Sequence, residues 1–285
     1  MRDRIEDMRF GWVRDYPDFR DYTLKSEAIR NFLLEESSDV ASEACISNAI
    51  ALPPIKDQLS IGSCTANAAS YMYETYLRVA GISSEPLSRL FIYKITRNLL
   101  GWTGDTGAHL RSTMQTLATF GSPPEKFYTY HTDKFEEEPT AFLYSMAQNY
   151  QAETYYRLDN HGTTAQSLLK KIKKNIAANR ACVFGFVVYS NIDIAEAGCI
   201  AMPAQTDKRR GGHAVCCVGF EDEKIIVNAQ TNTSTRGAIK FANSWGTQWG
   251  SNGFGWLPYD YILNGLAVDW WTIMSAEWLD TNQFS

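Results

Sequence analysis

Gln58-Leu59-Ser60-Ile61-Gly62-Ser63-Cys64-Thr65-Ala66-Asn67-Ala68-Ala69 is the stretch on which the reading of this chain turns. From Cys64 to about Ala80 the residues Ala68, Ala69, Met72, Tyr73, Tyr76 and Leu77 recur at helical spacing, and Gly81 follows as a stop. The spacing predicts a helix whose first turn holds Cys64. A thiol reacts as its thiolate, and a helix N-terminus beside an imidazolium lowers its pKa from ~8.5 into a range of roughly 3.5–7.5. Gly62 leaves room for a substrate backbone, and the small residues after Cys64 let the helix pack closely. The side-chain amide of Gln58, upstream in Ile55-Lys56-Asp57-Gln58, can join the Cys64 backbone N–H in stabilising a tetrahedral oxyanion. A buried structural cysteine and an idle loop glutamine would produce the same residues, so the weight rests on what accompanies them.

Four histidines are present, at 109, 131, 161 and 213. The first three lie in or beside polar loop and helix-edge sequence and are expected at the surface. His213 opens the apolar run Gly211-Gly212-His213-Ala214-Val215-Cys216-Cys217-Val218-Gly219-Phe220, at the mouth of an expected strand and behind two glycines that admit another backbone. Downstream lies Phe241-Ala242-Asn243-Ser244-Trp245-Gly246-Thr247-Gln248-Trp249-Gly250. Asn243 can hold the imidazole in its productive tautomer, and Trp245 can shield that hydrogen bond from water. A satisfied core histidine and a tryptophan-rich turn are the bland readings, and the pairing of the two segments makes them hard to sustain.

Around these segments the first part of the chain is helical. Further helices are expected near 86–100, near 107–120 and at 163–179, the last with Leu168, Leu169, Ile172 and Ile176 as its buried stripe and Lys170, Lys171, Lys173 and Lys174 as its wet face. From 181 the pattern changes to short β-rich runs: 181–189, 214–220, 224–228, 238–242 and 254–257. Glu136-Glu137-Glu138 with Pro139 lies between the two regimes as a boundary loop. Segregated helices and strands predict an α+β fold of two lobes, helical over about 58–150 and β-rich over about 181–275. Residues 1–45 read as a separate N-terminal arm, because aromatic and acidic residues interleave without either clean period in Phe10-Gly11-Trp12-Val13-Arg14-Asp15-Tyr16-Pro17-Asp18-Phe19-Arg20-Asp21-Tyr22.

With 285 residues, 45% of them hydrophobic, the chain can bury a substantial core. Its net charge of −5 provides no basic footprint for nucleic acid. The N-terminus, Met1-Arg2-Asp3-Arg4-Ile5-Glu6-Asp7, has no apolar run behind it, so no secretory signal is expected and synthesis is assigned to the cytoplasm. No apolar stretch approaches the ~20 residues that span a bilayer, and no membrane partner is expected. The six cysteines (45, 64, 182, 199, 216 and 217) form no CxxC pair, which argues against a metal site and a dense disulfide scaffold.

Gln58 to Ala66, Gly212-His213-Ala214 and Asn243-Ser244-Trp245-Gly246 together resemble, in order and spacing, the three signature blocks of the papain/cathepsin (C1) family. The resemblance spans about residues 50–275, and Leu87-Ser88-Arg89-Leu90-Phe91-Ile92-Tyr93 looks most like its bacterial and viral branch. It implies a papain-like fold, with a helical left lobe, an antiparallel β-barrel-like right lobe and a cleft between them. It further implies a cysteine peptidase working through a Cys64 thioester on protein or peptide substrates, without metal or organic cofactor. In that frame Cys64, His213, Asn243 and Gln58 are the catalytic candidates. Gly62, Gly107, Ala108, Gly212, Trp245 and Trp249 are the substrate-binding ones, with residues near Asp269 to Trp271 bordering S2. The chain departs from the family at Thr65, where a Trp is usual, and at Ile61, where a Cys is usual, so the usual disulfide is not expected. Thr106-Gly107-Ala108 stands in for the Gly-Gly substrate strand. The long gap from His213 to Asn243 leaves room for a hairpin with 228–236 at its tip. By the resemblance the arm is a latency segment ending near Ser47 to Pro54, with Cys45 able to tether it, and the chain is a zymogen. The alternatives are a Cys-His-Asn acyl transferase or ligase, and a catalytically silent papain-fold binding module.

Overall fold

The computed structural model describes residues 10–18, 21, 41–46, 52–82 and 85–275. Expectations that concern residues 1–9, 19, 20, 22–40 and 47–51, including the presumed end of the arm at 47–54 in large part, lie outside the described residues. At the centre stands helix α1, Cys64–Val79, buried through almost its whole length. A helix buried on every side needs small residues where neighbours approach, and Ala66, Ala68, Ala69 and Ser70 supply them. Helices α2 (Arg89–Leu100) and α3 (Leu110–Thr119) pack against it. Ser88 caps α2 through its hydroxyl, which accepts from the Phe91 amide, and Gly101 in the left-handed region closes it. The short α4 (Ala141–Ala147) and α5 (Ala165–Ala177, capped by Thr164) complete the helical part, with α6 (Tyr259–Leu263) between late strands.

Two short strands lie in the arm and its continuation, β1 (Trp12–Val13) and β2 (Glu43–Cys45). β1 pairs in parallel with β3 (Ala108–His109). The main sheet contains β4 (Thr154–Arg157), β5 (Cys182–Tyr189), β6 (Arg209–Asn228), β7 (Thr233–Ala242), β8 (Phe254–Pro258) and β9 (Ala267–Ser275). Its order is β4-β9-β5-β6-β7-β8, with β2 added to β6, every neighbour antiparallel. Helices and an antiparallel sheet segregate as the α+β reading requires. Among the described residues the sheet is open: β4 and β8 form its two ends and do not pair, so the lobe expected to be barrel-like holds an open sheet and not a closed barrel. The two runs expected at 214–220 and 224–228 are one strand, because shifts of register at Cys217/Gly219 and Glu221/Ile225 absorb the acidic interruption without breaking the ladder. The hairpin between β6 and β7 fills the long His213 to Asn243 interval.

Buried polar side chains tie the helical part to the site. Arg89 forks onto Glu125 and donates through Nη1 to the Asp57 carbonyl and to Asn67 Oδ1, both at 3.0 Å, while its guanidinium lies 4.0 Å over the Tyr130 ring. It thereby holds the Gln58 loop against α1. Arg97, fully buried, binds Glu136 and the carbonyls of Gly104 and Phe135, so the acidic run 136–138 clasps α2. Lys173 of the α5 lysine cluster pairs with Asp222 at 2.7 Å, while Lys170 is exposed.

Replacing Arg89 by Met removes a donor from the half-buried Asp57 carbonyl and from the buried Asn67 Oδ1 and takes the partner of Glu125 away. The expected loss is about 2–4 kcal/mol of stability, read as a lower denaturant midpoint with unchanged slope.

Candidate functional site

The N-terminus of α1 has no side-chain cap. Ser63, at the cap position, turns its hydroxyl to Tyr130 at 2.6 Å and accepts from Asn67 Nδ2 at 3.0 Å, and no acidic residue occupies the first turn. The orphan N–H groups of a helix start are thus left to whatever charge develops at Cys64. The preceding loop is fixed from outside: the Gly62 amide donates to Asp105 Oδ1 at 2.8 Å, and the Tyr93 hydroxyl donates to the same oxygen at 2.6 Å while accepting from the Gly107 amide. Cys64 is fully buried, with the backbone amides of Ala214 and Gly11 at its sulfur, and burial pushes its thiol up to about 11.

Ala214 follows His213 in β6, so the backbone at the Cys64 sulfur is that of the residue next to the histidine. His213 Nε2 lies 2.8 Å from Asn243 Oδ1, which also accepts from the Ser244 amide at 2.8 Å. An oxygen facing that amide fixes the Asn243 rotamer, since the flipped amide would set N–H against N–H. Nε2 therefore carries the proton and Nδ1 the lone pair. Nδ1 has no hydrogen-bond partner among the described residues. Trp245 stacks on the imidazole at 4.5 Å, and burial lowers His213 to about 4. In this state thiol and imidazole are both held neutral.

Gln58 is fully buried and joined to both halves of the molecule. Its amide donates to the Ser244 carbonyl at 2.8 Å, its Oε1 accepts from Ser244 Oγ at 2.7 Å, and its Nε2 donates to the Ile61 carbonyl at 3.0 Å. Ser244 thus orients Gln58 toward the loop of Cys64. Sequence reading missed this role because nothing marks a serine beside Asn243 as the partner of a residue so far upstream. Trp249 lies buried at right angles to Trp245, 5.2 Å away, and packs on Phe241.

The arm runs through the cleft. Gly11 lies so close to the Cys64 loop that a Cβ on it would come within 1.7 Å of the Gly62 carbonyl oxygen, and its own carbonyl accepts from the Ala108 amide at 2.7 Å. Phe10 meets His213 and Trp245 edge-on. The Trp12 ring covers Gly185 and Gly212, where added Cβ atoms would fall at 2.0 and 2.4 Å from it. Gly62, Gly107, Ala108 and Gly212 therefore gather along one groove, and the arm fills it. Beyond Trp12, Asp15 accepts from Trp271 Nε1 at 3.0 Å, and Asp21 takes a bidentate contact from Arg111. His109, expected at the surface, is buried, because its Nδ1 sits 3.1 Å from the Val13 carbonyl and Trp102 and Tyr16 flank it; His131 and His161 are exposed.

All six cysteines are free thiols. Among the described residues, no group of three or more His, Cys, Asp or Glu side chains has the arrangement of a metal site, and no helix is long and apolar enough to cross a membrane.

Residues 36–264 match the family described as papain family cysteine protease. The chain belongs to that family. An uncharacterized peptidase C1-like protein of Acanthamoeba polyphaga mimivirus is 31% identical, over 94% of this chain and 87% of that protein. Xylellain, a cysteine protease from Xylella fastidiosa, shares the fold with a TM-score of 0.77 at 28% identity, over 94% of this chain and 97% of that one. A procathepsin B from Trypanosoma congolense has a TM-score of 0.68 at 15% identity, over 96% and 88%. The bacterial and viral flavour of this papain-family chain is thus matched by its relatives.

Burial gives a direct expectation for this family member. With the arm in place, iodoacetamide at neutral pH should label the partly exposed Cys45 and Cys199 well before Cys64, as read by peptide mass mapping.

Proposed function

We propose that this chain is a peptidase in which Cys64 attacks the scissile carbonyl, and that its N-terminal arm keeps it latent. The observation that supports the chemistry is the His213–Asn243 hydrogen bond, which leaves the lone pair on Nδ1, the nitrogen without a hydrogen-bond partner among the described residues. Nδ1 takes the thiol proton, and the thiolate adds to the carbonyl carbon. The oxyanion is held by the Cys64 backbone N–H and Gln58 Nε2. Collapse expels the amine with the proton from His213, and water, activated by the same nitrogen, opens the thioester.

Latency is supported by what covers the site. Gly11 and Trp12 lie in the groove that a substrate backbone needs, and the resulting desolvation raises the thiol and lowers the imidazole, which keeps the pair from ionising. Likeness to a structure that is itself a proform agrees with this reading.

Two variants separate the parts of the proposal. Cys64→Ala removes peptide hydrolysis, and Asn243→Ala lowers it less than His213→Ala does, because the orienter supplies only part of the effect. Gly11→Val cannot lie over Gly62, so the full-length variant should cleave a fluorogenic peptide at least about tenfold faster than the parent. Equal rates would leave the arm as a permanent part of the fold.

Docking of the arm depends on pH through two groups of the body. Burial and the neighbouring Asp15 push Asp269 up to about 7 with the arm docked, against an ordinary carboxylate near ~4. Because Asp15 arrives with the arm, docking favours the protonated form of Asp269, and this contribution is lost as pH rises through about 7. His213, lowered to about 4 by burial, works in the opposite sense: its contribution is complete above its ordinary ~6.5 and is lost as pH falls through about 4. Asp269→Asn removes only the first. The activity of Asp269→Asn relative to Asp269→Asn with Gly11→Val should rise from pH 7 to pH 5 more steeply than the same ratio in the Asp269 background.

A further inference from the structure

The indole of Trp12 lies on one face of the β5–β6 pair. That floor is flat because Gly185 and Gly212 carry no side chain, and the indole lies where their Cβ atoms would be. At its end the indole Nε1 donates to Asp269 Oδ2 at 3.2 Å, and the Asp15 amide donates to the same oxygen at 2.7 Å. Both donors belong to the arm.

The rest of the Asp269 environment belongs to the body of the protein. Oδ1 accepts from Arg157 Nη2 at 2.8 Å, while the backbone amides of Asp269 and Trp270 donate to Asp159 at 2.7 and 3.0 Å. These bonds hold Asp269 at a φ of +58°, with its side chain essentially buried. When the arm withdraws, Oδ2 stays in place and loses both donors. A buried carboxylate oxygen without a donor is costly, so whatever enters the pocket is selected for an N–H or O–H at that point.

We propose that this pocket is the S2 subsite and that Asp269 makes it selective for a substrate tryptophan, the arm's Trp12 being its internal mimic; the proposal rests on the peptidase reading above. The flat floor favours a planar ring. Charge balance favours a neutral donor: the groups facing the pocket are Asp15 and Asp21 from the arm, with His109, Arg111, Arg157, Asp159 and Asp269 from the body. With the arm gone, two arginines face two carboxylates, and an entering guanidinium would come up against Arg157.

Binding and turnover can be read separately in the full-length chain carrying Gly11→Val. In the Cys64→Ala, Gly11→Val double variant, fluorescein-labelled peptides identical except at P2 are titrated by polarisation. P2 is Trp, 3-benzothienylalanine, which has the same two-ring shape without the N–H, or Arg. The Trp peptide should bind about tenfold or more tighter than the benzothienyl peptide. That ratio should fall to near one with Asp269→Leu. If that variant does not fold by circular dichroism, Asp269→Asn, which suits a positive φ, should still reduce the ratio. Equal binding of Trp and benzothienyl peptides, tighter binding of Arg, or no binding of the Trp peptide overturns the proposal. With Cys64 intact, hydrolysis without P2 preference overturns the subsite and leaves the peptidase reading standing. Preference in binding without any hydrolysis overturns the peptidase reading and leaves the subsite.

Discussion

Everything at the site depends on the bonds between Gln58 and Ser244. The first residue stands ahead of the central helix and the second follows the strand that ends at Asn243, so these bonds join the two parts of the fold at the point where they must meet. Each half alone carries an incomplete set: a thiol at an uncapped helix start, and an imidazole whose tautomer is fixed but which has nothing to deprotonate. Main-chain and side-chain bonds at one pair of residues set the distance between them. On the helix side of that junction a chain of hydrogen bonds runs from Asn67 to Ser63, from Ser63 to Tyr130 and from Tyr130 to the Gln58 carbonyl, and such connected bonds hold geometry better than packing alone.

The arm is read as the second determinant of the site's state. Its described aromatic and acidic residues near the site, Phe10 to Asp15, make contacts that a core segment would make. Trp12 and Asp15 supply donors to Asp269, and Asp15 and Asp21 supply charge to Arg157 and Arg111. Burial of the reactive pair follows from this cover. The same two groups would titrate very differently with water in the groove.

Much of this was legible in the residues. Cys64, His213 and Asn243 each sit where helix or strand periodicity changes, and short-range patterns report such places. The central helix and the strands at 182–189 and 254–258 follow from spacing alone. Strand β9 did not, because Asp269 at positive φ and the register shift opposite Val183 and Gly185 break the alternation that marks a strand. The length of β6 was hidden by Glu221-Asp222-Glu223, which reads as a turn and is a bulge. His109 looked like a surface residue because what buries it, Val13, is a parallel partner far away in sequence, and parallel pairing leaves no local signature. The arm's separateness was visible in its composition, whereas its route was not, since one glycine facing another is only meaningful once the two are known to touch.

That meeting of Gly11 and Gly62 has a kinetic side. On the reading that Cys64 is the nucleophile and the arm a latency segment, the residue directly over the thiol contributes the least grip of any amino acid, so the arm would be held by Trp12, Asp15 and Asp21. Release and rebinding are intramolecular, and a tethered blocker returns at an effective concentration that no free inhibitor matches. Severing the connection anywhere beyond Asp21 would turn each departure into a loss by dilution. On the latency reading, the contacts that hold the site closed while the chain is intact would then be too weak to close it again.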